Sequence, residues 1–139
     1  MDILQPPDWP RPKGYVNGIA AEGRMVFVAG QIGWDEHGVF SKDFAEQVRQ
    51  TLKNTIAVLR EAGAGPEHIV RMTWYITDKQ AYLAARKGIG AAYREIIGRH
   101  FPTMAVVQVV ALIEDQAQVE IETTAVAPDP LNQPSGRTT

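Results

Sequence analysis

Apolar and polar residues alternate in several segments of the chain, and this alternation predicts where strands lie. The most regular segment covers residues 117–126, in which Val119 and Ile121 alternate with Glu120 and Glu122. A period of two is typical of a strand that buries one face and exposes the other. We therefore predict a strand here, with both glutamates on the same face of a sheet.

Four other segments show strand patterns. Residues 104–113 and 24–33 are apolar on nearly both faces, which favours a place in the middle of a sheet. The polar turn at residues 114–116 predicts that 104–113 forms a hairpin with the strand after it. Residues 68–77 alternate between apolar and more polar side chains, as in a strand with one buried face. Residues 15–21 form a weaker candidate, close enough to 24–33 for a second hairpin.

The first helix is predicted over residues 43–62. It begins with Asp43 followed by Glu46, which is a capping-box pattern. Apolar side chains then recur at helical spacing and form one stripe, made of Phe44, Val48, Leu52, Ile56 and Leu59.

A second helix is predicted from its cap at Asp78 to about Gly98. Gly88 and Gly90 lie inside it, and each costs about 1 kcal/mol of helix stability relative to alanine. Their presence indicates either close packing or an opening at this place.

The resulting order, β-β-α-β-α-β-β, predicts an α+β fold with one mixed sheet and two helices on one of its faces. The two helices cannot cover the second face. That face is expected to carry two apolar sets, which are Val26, Val28 and Ile32, and Val106, Val110 and Leu112. Other copies of the chain would bury it, so we predict a homo-oligomer.

Composition narrows the classes of function. The 139 residues carry a net charge of −2, with basic residues scattered along the chain, and contain no cysteine. Disulfides, thiol catalysis and thiolate metal sites are therefore excluded, and no nucleic-acid partner is expected. No apolar run reaches membrane-spanning length, so no membrane partner is expected and the predicted location is the cytoplasm.

The chain divides into one domain and two flanking segments. Residues 1–13 contain four prolines and are predicted to form an extended N-terminal arm without regular structure. Residues 14–127 form the single domain. Residues 128–139 are polar and are predicted to be a mobile tail.

Few residues suggest chemistry on their own. His37, His68 and His100 are far apart and lack helix-spaced partners, so no metal site is predicted. Glu120 and Glu122 share a strand face. Two carboxylates placed in this way are either an acid/base pair or part of a solvated face, and the pattern alone allows both interpretations.

Several short motifs, taken together, resemble the Rid family of reactive intermediate deaminases, also called the YjgF family. The motifs span about residues 14–127, in the family's order, and are Gly14-Tyr15, Val28–Ile32, Asn54, Ala62-Gly63, Phe101-Pro102 and Val119–Glu122. The resemblance implies a chorismate-mutase-like fold and a homotrimer whose sheets form a central barrel. It also implies small-molecule clefts between neighbouring subunits, and it implies no cofactor.

In deaminating members of this family, a glutamate in the last strand positions water and an arginine after the Phe-Pro pair holds the substrate carboxylate. Imines and enamines derived from amino acids are thereby released as 2-oxo acids and ammonia. The resemblance places the glutamate at Glu120. It places substrate-binding positions at Tyr15, Gly30, Gly90, Met104 and Val106.

Three of these positions depart from the family pattern. Met104 stands where the arginine is expected, Gly90 where an asparagine is expected, and Val106 where a cysteine or similar small residue is expected. Methionine offers no hydrogen-bond donor. Three alternatives follow: another arginine such as Arg24 or Arg71 reaches the cleft, the ligand is less anionic, or the protein binds a small ligand without catalysis.

Overall fold

Within residues 1–129, which the computed structural model describes, the chain forms six strands and three helices. The strands are β1 (Asp2–Leu4), β2 (Gly18–Ala20), β3 (Arg24–Ile32), β4 (Ile69–Ile76), β5 (Thr103–Gln108) and β6 (Val119–Ala127). The helices are α1 (Phe44–Glu61), α2 (Lys79–Ala84) and α3 (Arg86–Ile96), and a one-turn 3₁₀ helix covers Pro66–His68. Most of the predicted tail, from residue 130 onward, lies outside the described residues.

The central sheet consists of β3, β6, β4 and β5, in that order. β6 is antiparallel to both β3 and β4, whereas β5 runs parallel to β4 at one edge. Buried side chains of α1 and α3 share one core with Met72 of β4 and Ile121 of β6. The predicted α+β fold, one mixed sheet with its helices on one face, is confirmed.

The predicted hairpin between residues 104–113 and 117–126 is wrong, because β4 lies between β5 and β6. The helical segment after β4 is a crossover of the kind that joins parallel strands, and it leaves β5 on the outer side of β4. The chain then returns past β4 before β6 begins. Residues 104–113 are therefore at the edge of the sheet rather than in its middle, and Val110 and Ile113 beyond β5 are fully exposed.

The other predicted hairpin is also wrong, since β2 pairs with β1 instead of β3. Residues 1–13, expected to lack regular structure, thus contain a short strand. After β2 the chain turns at Gly23, which has a φ of 149° and lies against the Ala127 carbonyl oxygen at the end of β6. Glycine adopts such a conformation without steric cost, and beyond this turn β3 pairs with β6.

α1 forms as predicted. The Asp43 carboxylate accepts a hydrogen bond from the Glu46 backbone N–H at 3.0 Å and caps the first turn. All five residues of the predicted apolar stripe are buried. The predicted second helix is instead divided at Ala85 into α2, which Asp78 caps, and α3.

The residues found on each face of the sheet differ from those expected. Val26 and Val28, expected on the uncovered face, pack towards the helices, as does Val106. A strand that is apolar on both faces does not indicate which face is inward. The uncovered face, called the open face below, carries other apolar side chains, among them Phe27 with 71% of its surface exposed.

Candidate functional site

The open face of the sheet carries a row of polar side chains on its two central strands. Glu120 of β6 is paired with Tyr75 of β4, and Glu122 is paired with Thr73. Their neighbours Ile121 and Trp74 are buried beneath the helices. The predicted register is therefore correct, since both glutamates lie on the face away from the helices.

Glu120 lies against a bulge in the neighbouring strand. The register between β3 and β6 shifts between Val28 and Gln31, and the extra residue brings Gly30 over the carboxylate. A Cβ atom built on Gly30 would lie 2.6 Å from Glu120 Oε2, which is closer than real Cβ contacts allow. Only glycine fits at this position without moving the carboxylate. The structure thus brings together Gly30 and Glu120, two of the residues that the sequence predicted.

Tyr75 is a member of this polar row that sequence reasoning missed. Its hydroxyl donates a hydrogen bond of 2.6 Å to Glu122 Oε1. This hydrogen bond raises the pKa of Tyr75, because loss of the phenolic proton would place two negative charges side by side. Alternation in β4 had placed Tyr75 on one face with Arg71. Only the pairing of β4 with β6 reveals its contact with Glu122.

Met104 and Val106 lie on the opposite face from Glu120. In the parallel register they are paired with Met72 and Trp74, which are buried, and both pack against the helix-covered core. The expectation that Met104 and Glu120 share one face is therefore wrong within a single subunit. The cause is the parallel pairing of β5 with β4, which a hairpin interpretation of this segment does not anticipate.

The remaining predicted residues lie in separate places. Gly90 is half-buried in α3, while Tyr15 is exposed in the N-terminal segment, where it and Trp9 line one shallow depression. Arg24 donates a hydrogen bond to the Ala62 carbonyl oxygen at the end of α1. The structure brings none of these three next to Glu120.

Arg71, the other suggested arginine, lies on the open face. It is paired with Thr124, four residues along β6 from Glu120, which corresponds to a distance of about 13 Å along the strand. Arg71, Thr73, Glu122 and Phe27 line a depression of about 330 Å³ on this face. Arg71 therefore belongs to the same surface as the glutamates but lies at its far end.

Two further features of the described residues concern metal binding and membrane insertion. Among residues 1–129, no three histidine, aspartate or glutamate side chains are grouped as metal ligands would be. Across the same range, each helix is too short or too polar to cross a lipid bilayer.

Comparison with known proteins identifies the family. The Endoribonuclease L-PSP family matches residues 10–127, and a Yersinia pestis protein described as belonging to the conserved Rid family has the same fold. That structure gives a TM-score of 0.77 at 28% identity, with 91% of this chain and 98% of that one covered. The chain belongs to the Rid (YjgF) family.

Two further relatives of this Rid-family chain have informative names. The 2-iminobutanoate/2-iminopropanoate deaminase of Salmonella typhimurium is 33% identical over 116 residues, covering 81% of this chain and 86% of the relative. The crystal structure of Escherichia coli TdcF with bound serine gives a TM-score of 0.65 at 32% identity, with 91% and 99% of the two chains covered.

Proposed function

We propose that this Rid-family chain hydrolyses small imines or enamines to carbonyl compounds and ammonia, with Glu120 as the group that orients and activates water. The observation that carries the proposal is the approach of Gly30 to Glu120. A glycine over a half-buried carboxylate leaves the Glu120 oxygens free of covering side chains from β3. The relative named as an iminobutanoate deaminase supports the same reaction class.

The chemistry requires one water molecule and one proton relay. Glu120 accepts a proton from water as the water oxygen bonds to the imine carbon, and the C=N bond becomes a C–N single bond. Glu120 then returns the proton to the nitrogen. Glu120 next takes the hydroxyl proton of this carbinolamine and passes it to the nitrogen, so that the C=O bond forms as the C–N bond breaks and ammonia leaves. A carboxylate within reach of both water and nitrogen can perform both transfers.

The proposed cleft lies between copies of the chain, which we propose to be a homotrimer. Glu120 on β6 and Met104 on β5 are about 10 Å apart across β4 and a further three residues, about 10 Å, apart along it, since they pair with Tyr75 and Met72. Their side chains point to opposite faces. One small ligand therefore cannot contact both within a subunit. The exposed Phe27 on the open face and the unpaired edge of β5 both favour burial against another copy.

An alternative from another class is a non-catalytic small-ligand-binding protein. Met104 is the observation that favours it, because its side chain packs against the core and offers no donor to a substrate. An RNA-cleaving role, which the family's name suggests, is less well supported. The net charge is −2 and two glutamates lie on the open face, whereas a phosphate backbone attracts positive charge.

Ammonia release from freshly generated imines tests the proposal, with wild type compared with Glu120→Gln and Glu122→Gln. Gln keeps the shape of Glu but cannot take a proton from water. We expect Glu120→Gln to lower kcat/KM by about 100-fold or more, as for loss of a general base, while the matched Glu122→Gln variant retains most activity.

Two results would count against the proposal. Turnover that is unaffected by Glu120→Gln would exclude Glu120 from catalysis, and absence of turnover with every imine would favour the binding protein. The oligomeric state is measured on the same samples by sedimentation equilibrium. A stable monomer at micromolar concentration would remove the intersubunit cleft.

A further inference from the structure

The N-terminal arm is a loop whose two ends are held together. β1 and β2 pair in antiparallel orientation, so residues 5–17 form the connection between them. At the base of this connection the Asn17 Nδ2 atom donates a hydrogen bond of 2.8 Å to Gln5 Oε1. A compact surface loop with its ends close together is a form that often carries function.

The side chain of Gln5 also fixes the course of the loop. Its Nε2 atom donates to the carbonyl oxygens of Trp9 and Pro10, at 3.2 and 3.3 Å. The Trp9 N–H donates to the Pro6 carbonyl oxygen at 3.1 Å. Proline rings restrict the backbone here, and the chain bends at Gly14, where a φ of 73° suits glycine. The loop therefore presents its side chains from a defined backbone.

The loop forms a depression of about 520 Å³, and every residue that lines this depression belongs to the loop. Its lining includes two aromatic rings and two cations, which alternate along the chain as Trp9, Arg11, Lys13 and Tyr15, and it includes no carboxylate. Trp9 exposes 57% of its surface and Tyr15 exposes 49%. Exposed aromatic rings beside polar groups are typical of interaction sites. We call this feature the arm depression.

The two cations of the arm depression are not neutralised by neighbouring acids. Within residues 1–129, neither Arg11 nor Lys13 forms an ion pair, whereas Arg49 of α1 pairs with Glu95. Asp8, the nearest carboxylate in the sequence, does not line the depression. Two positive charges therefore face one small space, and such a space attracts an anion.

We propose that the arm depression binds a planar heteroaromatic ring that carries a phosphate monoester, which is the chemistry of a nucleoside monophosphate. Trp9 and Tyr15 provide faces on which the ring stacks. Arg11 provides a planar fork of N–H groups and Lys13 a point charge for the phosphate oxygens. A phosphate monoester carries about −1.5 to −2 charges at neutral pH, which two cations match better than they match a carboxylate.

This site does not rest on the proposed reaction. Neither Glu120 nor Gly30 lines the arm depression, and the fixed loop forms without them. Tyr15, predicted from the family resemblance to bind substrate, contributes to this second site instead. The loop is held in place before any ligand arrives, so binding requires little further ordering of the backbone.

Calorimetric titration with adenosine 5′-monophosphate (AMP) tests the proposal. Adenosine lacks the phosphate, ribose 5-phosphate lacks the ring, and benzoate joins an aromatic ring to a carboxylate. We expect wild type to bind AMP at least tenfold more tightly than it binds any of these three, because only AMP occupies both the rings and the two cations. AMP binding should also weaken as salt is added.

Two substitutions separate the contribution of the ring from that of the phosphate. Trp9→Ala should weaken AMP binding about five- to hundredfold, the range for loss of one stacking contact with a base, and should change ribose 5-phosphate binding less than twofold. Arg11→Gln should weaken binding of AMP and of ribose 5-phosphate about tenfold or more, as for loss of a charge-assisted hydrogen bond. It should change adenosine binding less than twofold.

Three further variants show whether the effect is local. Trp34→Ala removes another exposed tryptophan, and Arg60→Gln removes an exposed charge in the last turn of α1. Both should bind AMP as wild type does. Gln5→Leu removes no proposed ligand contact but releases the loop, so it should weaken AMP binding. Thermal unfolding checks that every variant is folded.

The proposal is overturned if wild type binds AMP no more tightly than benzoate, adenosine or ribose 5-phosphate. It is also overturned if Trp9→Ala and Arg11→Gln bind AMP as wild type does, or if Glu120→Gln loses AMP binding to the same extent as they do. Its failure is distinguishable from failure of the proposed reaction. AMP binding in a protein without imine turnover would support this site alone, and turnover without AMP binding would support the reaction alone.

Discussion

Gln47 offers a direct test of how the site is held in place. Its side chain is 1% exposed and fully hydrogen-bonded to backbone groups. Nε2 donates to the carbonyl oxygens of Ser41 and Gln116, each at 2.8 Å, and Oε1 accepts from the Gln118 N–H at 2.8 Å. One buried amide thus connects α1 to the segment that leads into β6, two residues before Glu120.

The substitution Gln47→Leu keeps a similar volume and removes all three hydrogen bonds. Two carbonyl groups and one N–H are then left without their partner in a buried place. At about 1 kcal/mol for each hydrogen bond, the loss is roughly 3 kcal/mol, and the apolar gain of the buried leucine offsets part of it. We expect the free energy of unfolding to fall by about 2–3 kcal/mol.

Urea denaturation at one fixed protomer concentration measures this loss, since the stability of an oligomer depends on concentration. Gln50→Leu is the matched control. Gln50 lies on the same helix, is half-buried, and makes one side-chain hydrogen bond, from its Nε2 to Asn54 Oδ1 at 2.9 Å. We expect it to cost less than about 1 kcal/mol. Equal losses in the two variants, with unchanged m-values, would refute the reasoning about the buried amide.

Two further predictions concern α3 and the open face. Gly90→Ala should raise the free energy of unfolding by up to about 1 kcal/mol, because its Cβ meets only the end of a flexible arginine. Gly88→Ala should give no such gain, because its Cβ meets Ala45 of α1 at 3.0 Å; thermal unfolding compares the pair. Glu122→Gln should lower the raised pKa of Tyr75, as followed by ultraviolet titration of the phenolate. Because the folded-state pKa is the higher one, this hydrogen bond stabilises the fold at neutral pH, and its contribution disappears as the pH rises through the folded-state pKa.

Features that depend on neighbours in sequence were predictable. α1 begins and ends within one residue of its predicted bounds, because its cap at Asp43 and its apolar stripe are both local patterns. The face of Glu120 was predictable for a similar reason. Val119 and Ile121 alternate with it so regularly that burying them fixes the opposite face for the glutamate.

Features that depend on strand pairing were not predictable in the same way. The polar turn after residues 104–113 fits a hairpin with β6. The crossover after β4 nevertheless places these residues at the edge of the sheet. Val26 and Val106 were assigned to the wrong face because both faces of their strands are apolar. No alternation was present to decide between the two faces.

The details of the candidate site were also not predictable from neighbours in sequence. The approach of Gly30 to Glu120 depends on a bulge in β3, and bulges have no reliable signature in a run such as Val28–Ile32. The place of Arg94 Nη1, 3.3 Å from where a Cβ atom on Gly90 would lie, depends on a side-chain conformation. Gly90 was noticed as a departure from the family and as an interruption of a helix, but neither observation indicated which side chain would use the space.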